Sequence, residues 1–230
     1  MSVAKPKQCE QFIAKSDVLL VSNQHNKKNV MQFAKSCFRS AYGADVHDFL
    51  PNMLALLDNQ FQIKASVGYQ SAASNTLYLE HYLPRSIEET IAEKLNIDPP
   101  LREEILEVGN LASTCAGSTR RLILNLACHF EKQGYKWLVI TATPHVRNSF
   151  EKLNVGLNLH PIANANADAV VNTSSDWGKY YEHQPQVYAG DIRSGITTLK
   201  SNPVLSKLLH RIKTPINDCN IFISDTEGAQ

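Results

Sequence analysis

The sequence predicts a single α/β domain whose mixed sheet begins antiparallel and is flanked by helices. Apolar strand-like runs alternate with amphipathic helix-like segments through the middle of the chain, which is typical of α/β domains. Two early strands are separated by a tight turn at Asp58-Asn59, and a turn that short joins antiparallel neighbours. The chain has 230 residues, of which 43% are hydrophobic, so it can fill one packed core.

Hydrophobic spacing predicts the elements of the first half. An apolar run at 18–21 predicts the first strand, and apolar residues at helical spacing after Asn26 predict a helix that ends at Gly43. Further strands are expected at 53–57, 61–69 and 77–83. Alternation along the last of these strands places His81 opposite Glu80 and Tyr82, so these three side chains should not converge in one catalytic cluster.

The second half shows a regular alternation of helices and strands. Residues 86–89 form a capping-box pattern before an apolar helical stripe, and Asp98-Pro99-Pro100 then interrupts the chain. The central strand is expected at 105–112, followed by a helix that stops at Gly134. A continuously apolar strand follows at 137–141, and Thr143-Pro144 opens another helix. Short elements are predicted at 177–181 (helix), 186–189 (strand) and 204–212 (helix), while 158–176 stays unassigned.

Composition excludes several classes of function. The net charge is +1, which gives no electrostatic attraction to nucleic acid or anionic membranes. The five cysteines are scattered, so we expect no metal site and no disulfide framework, and their odd number suits a reducing compartment. The N-terminus lacks the apolar core of a signal peptide, and no apolar run reaches about 18 residues. We therefore expect a cytoplasmic protein without a transmembrane segment.

The most informative segment is 105–121, which reads as an apolar strand, a turn of small residues and a helix with arginines in its first turn. Backbone N–H groups at a helix start can hold a phosphate. Arginines are unfavourable at that end of the helix dipole, which indicates a bound anion. The predicted phosphate-binding residues are Ala116, Gly117, Ser118, Thr119, Arg120 and Arg121. A buried carboxylate, Glu107, on the strand that leads to this turn indicates group transfer from a phosphate-bearing donor.

Two interpretations of Glu107 stay open at this point. As a general base, it would have a pKa raised by burial and would take a proton from an attacking amine. As a structural acid, it would pair with Arg120, Arg121 or a tyrosine. Gly109, two residues further along the strand, indicates either a bulge or close approach of another group, or simply tight packing. Cys115 is not expected to act as a nucleophile, because no histidine can be assigned as its base.

Five segments together resemble the bacterial thermostable hemolysin family. They are Leu-Glu-His-Tyr-Leu-Pro at 79–84, Glu-Val-Gly-Asn-Leu-Ala at 107–112, Thr-Ala-Thr at 141–143, Arg-Asn-Ser-Phe at 147–150 and Trp-Gly-Lys-Tyr-Tyr at 177–181. The resemblance runs from about residue 29 to residue 190. That family is similar to the acyl-CoA N-acyltransferase (GNAT-like) fold and, within it, to acyl-homoserine-lactone synthases. The implied fold is one GNAT-like domain over 1–230, with a mixed, largely antiparallel sheet, a core at about 17–190 and a C-terminal extension at 191–230.

The resemblance implies transfer of a fatty acyl group from acyl-CoA or acyl carrier protein to a small amine acceptor, with no permanently bound cofactor. It aligns Glu107 with an acid in the active cleft and places Asn148 near the donor. Phe150 stands where the superfamily often has a proton-donating tyrosine, and Tyr181 is the predicted replacement. Tyr181 and its aromatic neighbours Trp177 and Tyr180 could equally be a core cluster. Two other functions stay open: a membrane-lytic hemolysin and a non-catalytic acyl-CoA-binding module.

Overall fold

A seven-stranded sheet forms the centre of the computed structural model, which describes residues 18–21, 26–153, 158–170 and 174–201. The strands are β1 (Val18–Val21), β2 (Asn52–Leu57), β3 (Ile63–Ser71), β4 (Ile105–Ser113), β5 (Trp137–Ala142), β6 (His160–Asn164) and β7 (Gln186–Asp191). Their order across the sheet is β1-β2-β3-β4-β5-β7-β6. Only β4 and β5 pair in parallel, and every other neighbouring pair is antiparallel. The predicted mixed, largely antiparallel sheet is confirmed.

Helices cover both faces of this sheet. They are α1 (Lys27–Tyr42), α2 (Ile87–Leu95), α3 (Ala116–Lys132), α4 (Pro144–Leu153) and α5 (Ile192–Ser201). Successive side chains of a strand face opposite sides, so Leu106 of β4 packs in the cluster that contains apolar residues of α3, α4 and α5. Ile105 packs with α2 on the other face, and Met53 of β2 packs against α1. None of the helices in the described ranges is long and apolar enough to cross a bilayer.

Local signals account for the helix ends. Gly43 adopts φ +66° at the end of α1 and donates its N–H to the carbonyl of Arg39, as expected for a left-handed C-cap. Ser86 caps α2 through its side chain, which accepts the N–H of Glu89. The predicted boundaries of these two helices are confirmed.

Two sequence predictions need correction. Residues 77–83 do not form a strand, because Tyr78–Tyr82 form a 3₁₀ helix. Residues 177–179 form a turn, and the short helix begins only at Tyr180–His183. Up to residue 201, the segment predicted as a C-terminal extension contains α5, whose Ile192 and Ile196 are buried in the same core as α3. The helix predicted at 204–212 lies outside the described residues.

The two parallel strands separate halfway along their length. Their pairing runs from Ile105 opposite Trp137 to Val108 opposite Ile140, although both strands continue beyond that point. A bulge in β4 begins here, since Ser66 pairs with Ala112 while Gly68 pairs with Gly109. The extra residue lets the chain bend, and Asn110 in the bulge has φ +48°. Gly109, flagged from the sequence, therefore lies where a bulge begins and a gap opens between β4 and β5.

Candidate active site

A cavity occupies the gap between β4 and β5. One wall is aliphatic and comes from the strands and α4: Val108, Leu111, Ile140, Ala142 and Val146. A second group of lining residues forms the aromatic wall. It comes from α1, the loop after it, the 3₁₀ helix at 78–82 and the loop after residue 176. Its residues are Phe38, Tyr42, Phe49, Tyr78, Tyr82, Trp177 and Tyr180.

Glu107 reaches this cavity from the last part of β4 that is paired with β5. Its side chain is only 3% exposed. The side-chain amide of Gln70, the directly opposite residue on β3, donates to Oε2 at 2.6 Å. The backbone N–H groups of Tyr78 and Leu79 donate to Oε2 at 2.8 Å and to Oε1 at 2.9 Å, respectively. The carboxylate thus binds the free N–H groups at the start of the 3₁₀ helix, which explains why residues 77–83 are not a strand.

The environment of Glu107 favours a proton-accepting role. Burial raises the pKa of this carboxyl above its ordinary value, although the three hydrogen bonds act in the opposite direction. Three donors occupy three of the roughly four lone-pair positions of a carboxylate, and Oε1 accepts one hydrogen bond where Oε2 accepts two. The donors are an amide and two backbone groups, in place of the side chains of Arg120, Arg121 or a tyrosine that the structural interpretation expected.

Tyr181 contacts the cavity only through a neighbour. Its hydroxyl oxygen lies 2.6 Å from that of Tyr82, and Tyr82 is the one of the two that lines the cavity. Burial raises the pKa of both phenols, that of Tyr181 to about 12 and that of Tyr82 further. Both hydroxyls therefore stay protonated near neutral pH.

A second opening continues the cavity toward the start of α3. It is lined by Cys115, Ala116 and Thr119 at that helix start and by His145 and Ser149 of α4. It shares Phe38, Tyr42, Leu111 and Val146 with the first cavity, so the two form one cleft. Asn148, which the sequence placed near the donor, is exposed on α4 and lies outside this lining.

At the predicted phosphate-binding turn, fewer side chains are available to bind a phosphate than the sequence indicated. Ser118 and Thr119 are buried, and Thr119 Oγ1 lies 2.5 Å from the hydroxyl of Ser113. Because α3 begins at Ala116, Arg120 and Arg121 are its fifth and sixth residues. They lie in the second turn instead of the first, which weakens the argument from the helix dipole. Ala116 and Gly117 still offer backbone N–H groups at the helix start.

Cys115 lies at this same helix start and is exposed. The hydroxyl and backbone N–H of Ser118, together with the N–H of Gly117, lower its pKa to about 7. A substantial fraction of this thiol is therefore ionised at neutral pH. The position beside a helix start already favoured a lowered thiol pKa, while the groups that surround the sulfur depend on how α3 begins.

The loop that carries Trp177 is tied to the opposite side of the cleft by Asp48. The carboxylate of Asp48 accepts the Ser174 hydroxyl at 2.8 Å and the Ser175 N–H at 3.0 Å. Burial alone would raise the pKa of Asp48, but these hydrogen bonds outweigh it and the pKa is lowered. Asn110 holds the segment that contains Asp48, since its side chain accepts the N–H of Leu50 and donates to the carbonyl of Asp48.

Sequence reasoning did not identify Asp48, Gln70 or Asn110 as parts of the site. A Gly-Asn dipeptide inside a strand is a recognisable sign of a bulge, and it could have drawn attention to Asn110. Gln70 is one of several polar residues on β3, and its role depends on register against Glu107. Asp48 has no comparable signal, because its partners lie more than 120 residues away in the chain.

Two polar atoms of residues that line the cavity have no hydrogen-bond partner in the described part of the chain: Thr141 Oγ1 and Trp177 Nε1. The charged side chains among the described lining residues are Asp48 and Glu107, both acidic. No group of three or more histidine, cysteine or acidic side chains in the described ranges could hold a metal ion.

Comparison with known proteins shows the family and the fold. The family model for thermostable hemolysin matches residues 20–196. The CoA-dependent acyl-homoserine lactone synthase BjaI has a similar structure (TM-score 0.59, 12% identity), with 90% of this chain and 96% of that one covered. FeeM, an N-acyl amino acid synthase from uncultured soil microbes, is also similar (TM-score 0.54, 11% identity), with 85% and 98% covered. No curated protein matches the chain in sequence. The expected GNAT-like fold is confirmed.

Proposed function

The chain belongs to the thermostable hemolysin family, and from this membership, its fold and the acid in its cleft we propose that it is an N-acyltransferase. It moves a fatty acyl group from a thioester donor, acyl-CoA or acyl carrier protein, to a small amine. The observation that carries the proposal is the position of Glu107, a buried carboxylate with a raised pKa at the point where β4 and β5 separate.

Glu107 acts as the general base in this proposal. The amine nitrogen attacks the carbonyl carbon of the thioester, the new C–N bond forms, and the C–S bond breaks to release a thiolate. The nitrogen loses a proton to Oε1 of Glu107, the oxygen that accepts one hydrogen bond. A raised pKa makes the carboxylate a better proton acceptor, and a positioned base typically contributes about 10²–10⁴ in rate.

The donor enters the cleft from the start of α3. Its phosphates bind the backbone N–H groups of Ala116 and Gly117, with Arg120 one turn further along the helix. Its pantetheine arm passes between the separated strands, and the acyl chain lies along the aliphatic wall. The shared lining of the two openings supports one continuous path from this helix start to Glu107.

The leaving thiolate needs a proton, and Phe150 has none to give. We assign this role to the hydroxyl pair of Tyr82 and Tyr181. Tyr82 faces the cavity and donates its proton to the thiolate, and the Tyr181 hydroxyl lies within hydrogen-bond distance of the Tyr82 oxygen. The Tyr82 oxygen then regains a proton from solvent, and protonated Glu107 releases its proton to solvent.

The substitution Glu107→Gln tests the catalytic role. We expect the rate of acyl transfer to fall by about 10²–10⁴. The rate is measured as thiol release from a medium-chain acyl-CoA in a screen of amines. Binding of the acyl-CoA should stay within a few-fold of wild type. Glu103→Gln is the matched control, since Glu103 is exposed just before β4 and outside the cleft. Transfer at the wild-type rate by Glu107→Gln would remove this residue from the mechanism.

Calorimetric titration with the acyl-CoA tests the donor site independently. In Gly117→Glu, the added charge should abolish binding by repelling the phosphates. A Cβ at Gly117 meets only the Cys115 sulfur, at 3.8 Å, so the fold should accept the substitution. Gln133→Glu adds the same charge at the other end of α3, about 24 Å away, and should bind normally. Equal binding by both variants would place the donor elsewhere, and binding without transfer to any amine would favour a non-catalytic binding module.

A further inference from the structure

The charge of the cavity lining restricts the acceptor. Among the described residues, the lining contains two carboxylates, Asp48 and Glu107, and no lysine, arginine or histidine. The lowered pKa of Asp48 keeps this group ionised near neutral pH. An acceptor with its own carboxylate next to the amine would bring a third negative charge into this space with no cation to pair with. Burial of such an unpaired charge is strongly unfavourable.

The aromatic wall offers a complementary surface for a positive charge. Its rings form a continuous group: the Trp177 ring centroid lies 5.3 Å from that of Tyr180, 6.0 Å from that of Phe38 and 6.3 Å from that of Tyr78. Aromatic faces attract ammonium ions that come within about 6 Å of the ring centroid, and tryptophan does so best. Aromatic rings combined with nearby carboxylates are therefore suited to an organic cation.

Two buried polar atoms that line the cavity have no hydrogen-bond partner in the described part of the chain: Trp177 Nε1 on the aromatic wall and Thr141 Oγ1 on β5. An aliphatic chain lying against either atom would leave it unsatisfied, which is unfavourable. Apart from Thr141, the wall formed by β4, β5 and α4 has aliphatic side chains and suits the acyl chain better.

Building on the proposed function, we infer that the aromatic wall binds the acceptor as an organic ammonium ion that has no carboxylate beside the amine. The substrate class is thus a decarboxylated amine, such as an aralkyl or alkyl amine, and not an amino acid. The ammonium ion loses one proton to solvent before its nitrogen can attack. A second proton passes from the nitrogen to Glu107 as the amide forms, the thiolate takes up one proton from Tyr82, and the net reaction releases one proton to solvent.

Three probes with a common phenethyl group test this inference in the full-length protein. 2-Phenylethylamine carries only the ammonium group, phenylalanine adds a carboxylate, and 2-phenylethanol is neutral. Because the chain has two tryptophans, binding is measured by Trp177 emission in a Trp137→Phe background. Trp137 lies on the opposite side of the sheet from the α3 helix, in the cluster with α2, and does not line the cavity. We expect the amine to bind at least about tenfold more tightly than either of the other probes.

Turnover with a medium-chain acyl-CoA completes the test and separates the two proposals. Phenylalanine binding or reacting as well as the amine would overturn the inference and leave the acyltransferase proposal standing. Equal binding of the amine and the alcohol, or no response to any probe, would overturn it as well. Selective amine binding without release of thiol from any acyl-CoA would support the inference and contradict the proposed transfer reaction.

Discussion

Gly178 lies between Trp177 and Tyr180 of the aromatic wall. The substitution Gly178→Ala tests how closely this segment packs against the end of α1. The residue precedes the short helix that contains Tyr180 and follows Trp177, and it adopts φ +48°. A Cβ at this position would lie 2.5 Å from the Tyr42 carbonyl oxygen and 2.9 Å from the Gly43 carbonyl carbon. Both are backbone atoms at the end of α1 and cannot move aside as a flexible side chain would.

Two costs add up in this variant. The left-handed backbone conformation costs a residue with a Cβ about 1 kcal/mol, and overpacking against rigid neighbours costs about 1–3 kcal/mol more. We therefore expect Gly178→Ala to lower the free energy of unfolding by about 2–4 kcal/mol. Relief by movement of the loop would break the 2.8 Å hydrogen bond from the Lys179 N–H to the Tyr42 carbonyl, and it would carry Trp177 away from the cavity.

Gly43→Ala is the matched control. Gly43 also has a left-handed conformation, with φ +66°, but a Cβ there meets nothing within 4 Å. Gly43→Ala should lower the free energy of unfolding only by the cost of the left-handed conformation, about 1 kcal/mol. Urea unfolding at equilibrium, with unchanged slope, gives both values, and hydrogen exchange of the Lys179 amide reports the loop. Equal stabilities of the two variants, with the Lys179 amide still protected in Gly178→Ala, would refute the reasoning.

Three further predictions concern the cleft and its supports. The rate at which iodoacetamide alkylates Cys115 should rise with pH through a midpoint at about pH 7, and it should fall when acyl-CoA is bound. A midpoint near the pKa of an ordinary thiol, about 8.5, would contradict the lowered pKa. Arg102→Met should reduce stability at neutral pH by about 2 kcal/mol, because Arg102 donates to Glu80 at 2.9 Å. The pKa of Glu80 is lowered in the folded protein, so the stability from its ionised form is present above its unfolded pKa and is lost as pH falls. The stability difference between wild type and Arg102→Met should therefore shrink at acid pH. A difference that stays constant would argue against the Arg102–Glu80 ion pair. Gly68→Ala should lower the free energy of unfolding by about 1–3 kcal/mol, because its Cβ would lie 2.8 Å from Oδ1 of Asn110 in the bulge. Gly109→Ala should lower it less, because the Cβ there meets the Leu50 side chain at 3.1 Å. The reverse order in urea unfolding would contradict this packing.

Much of the candidate site could be located along the chain before its geometry was known. Glu107 stood out because a charged residue in the middle of an apolar strand needs a partner or a purpose. Gly109 was flagged because glycine weakens a strand, and a bulge begins there in β4. Local patterns were informative in these cases, since burial and alternation along one strand are properties of that strand.

The errors arose where a distant group supplied the missing hydrogen bonds. Residues 77–83 alternate like a strand, but the carboxylate of Glu107 accepts the N–H groups of Tyr78 and Leu79 and stabilises a 3₁₀ helix. The arginines after Gly117 fell in the second turn because α3 already begins at Ala116, without a side-chain cap to mark its start. Neither outcome is encoded in the spacing of the segment concerned.

The sequence by itself determined most of the elements, the fold class and the strand that carries the acid, because hydrophobic periodicity, caps and glycines act over a few residues. Only the tertiary structure decided which groups surround that acid. Gln70, the loop held by Asp48 and the hydroxyl pair of Tyr82 and Tyr181 come together through strand register and through contacts between residues about 40 to 130 positions apart. Such contacts form only when the sheet and its covering helices pack, since no local interaction brings these side chains to the same cavity.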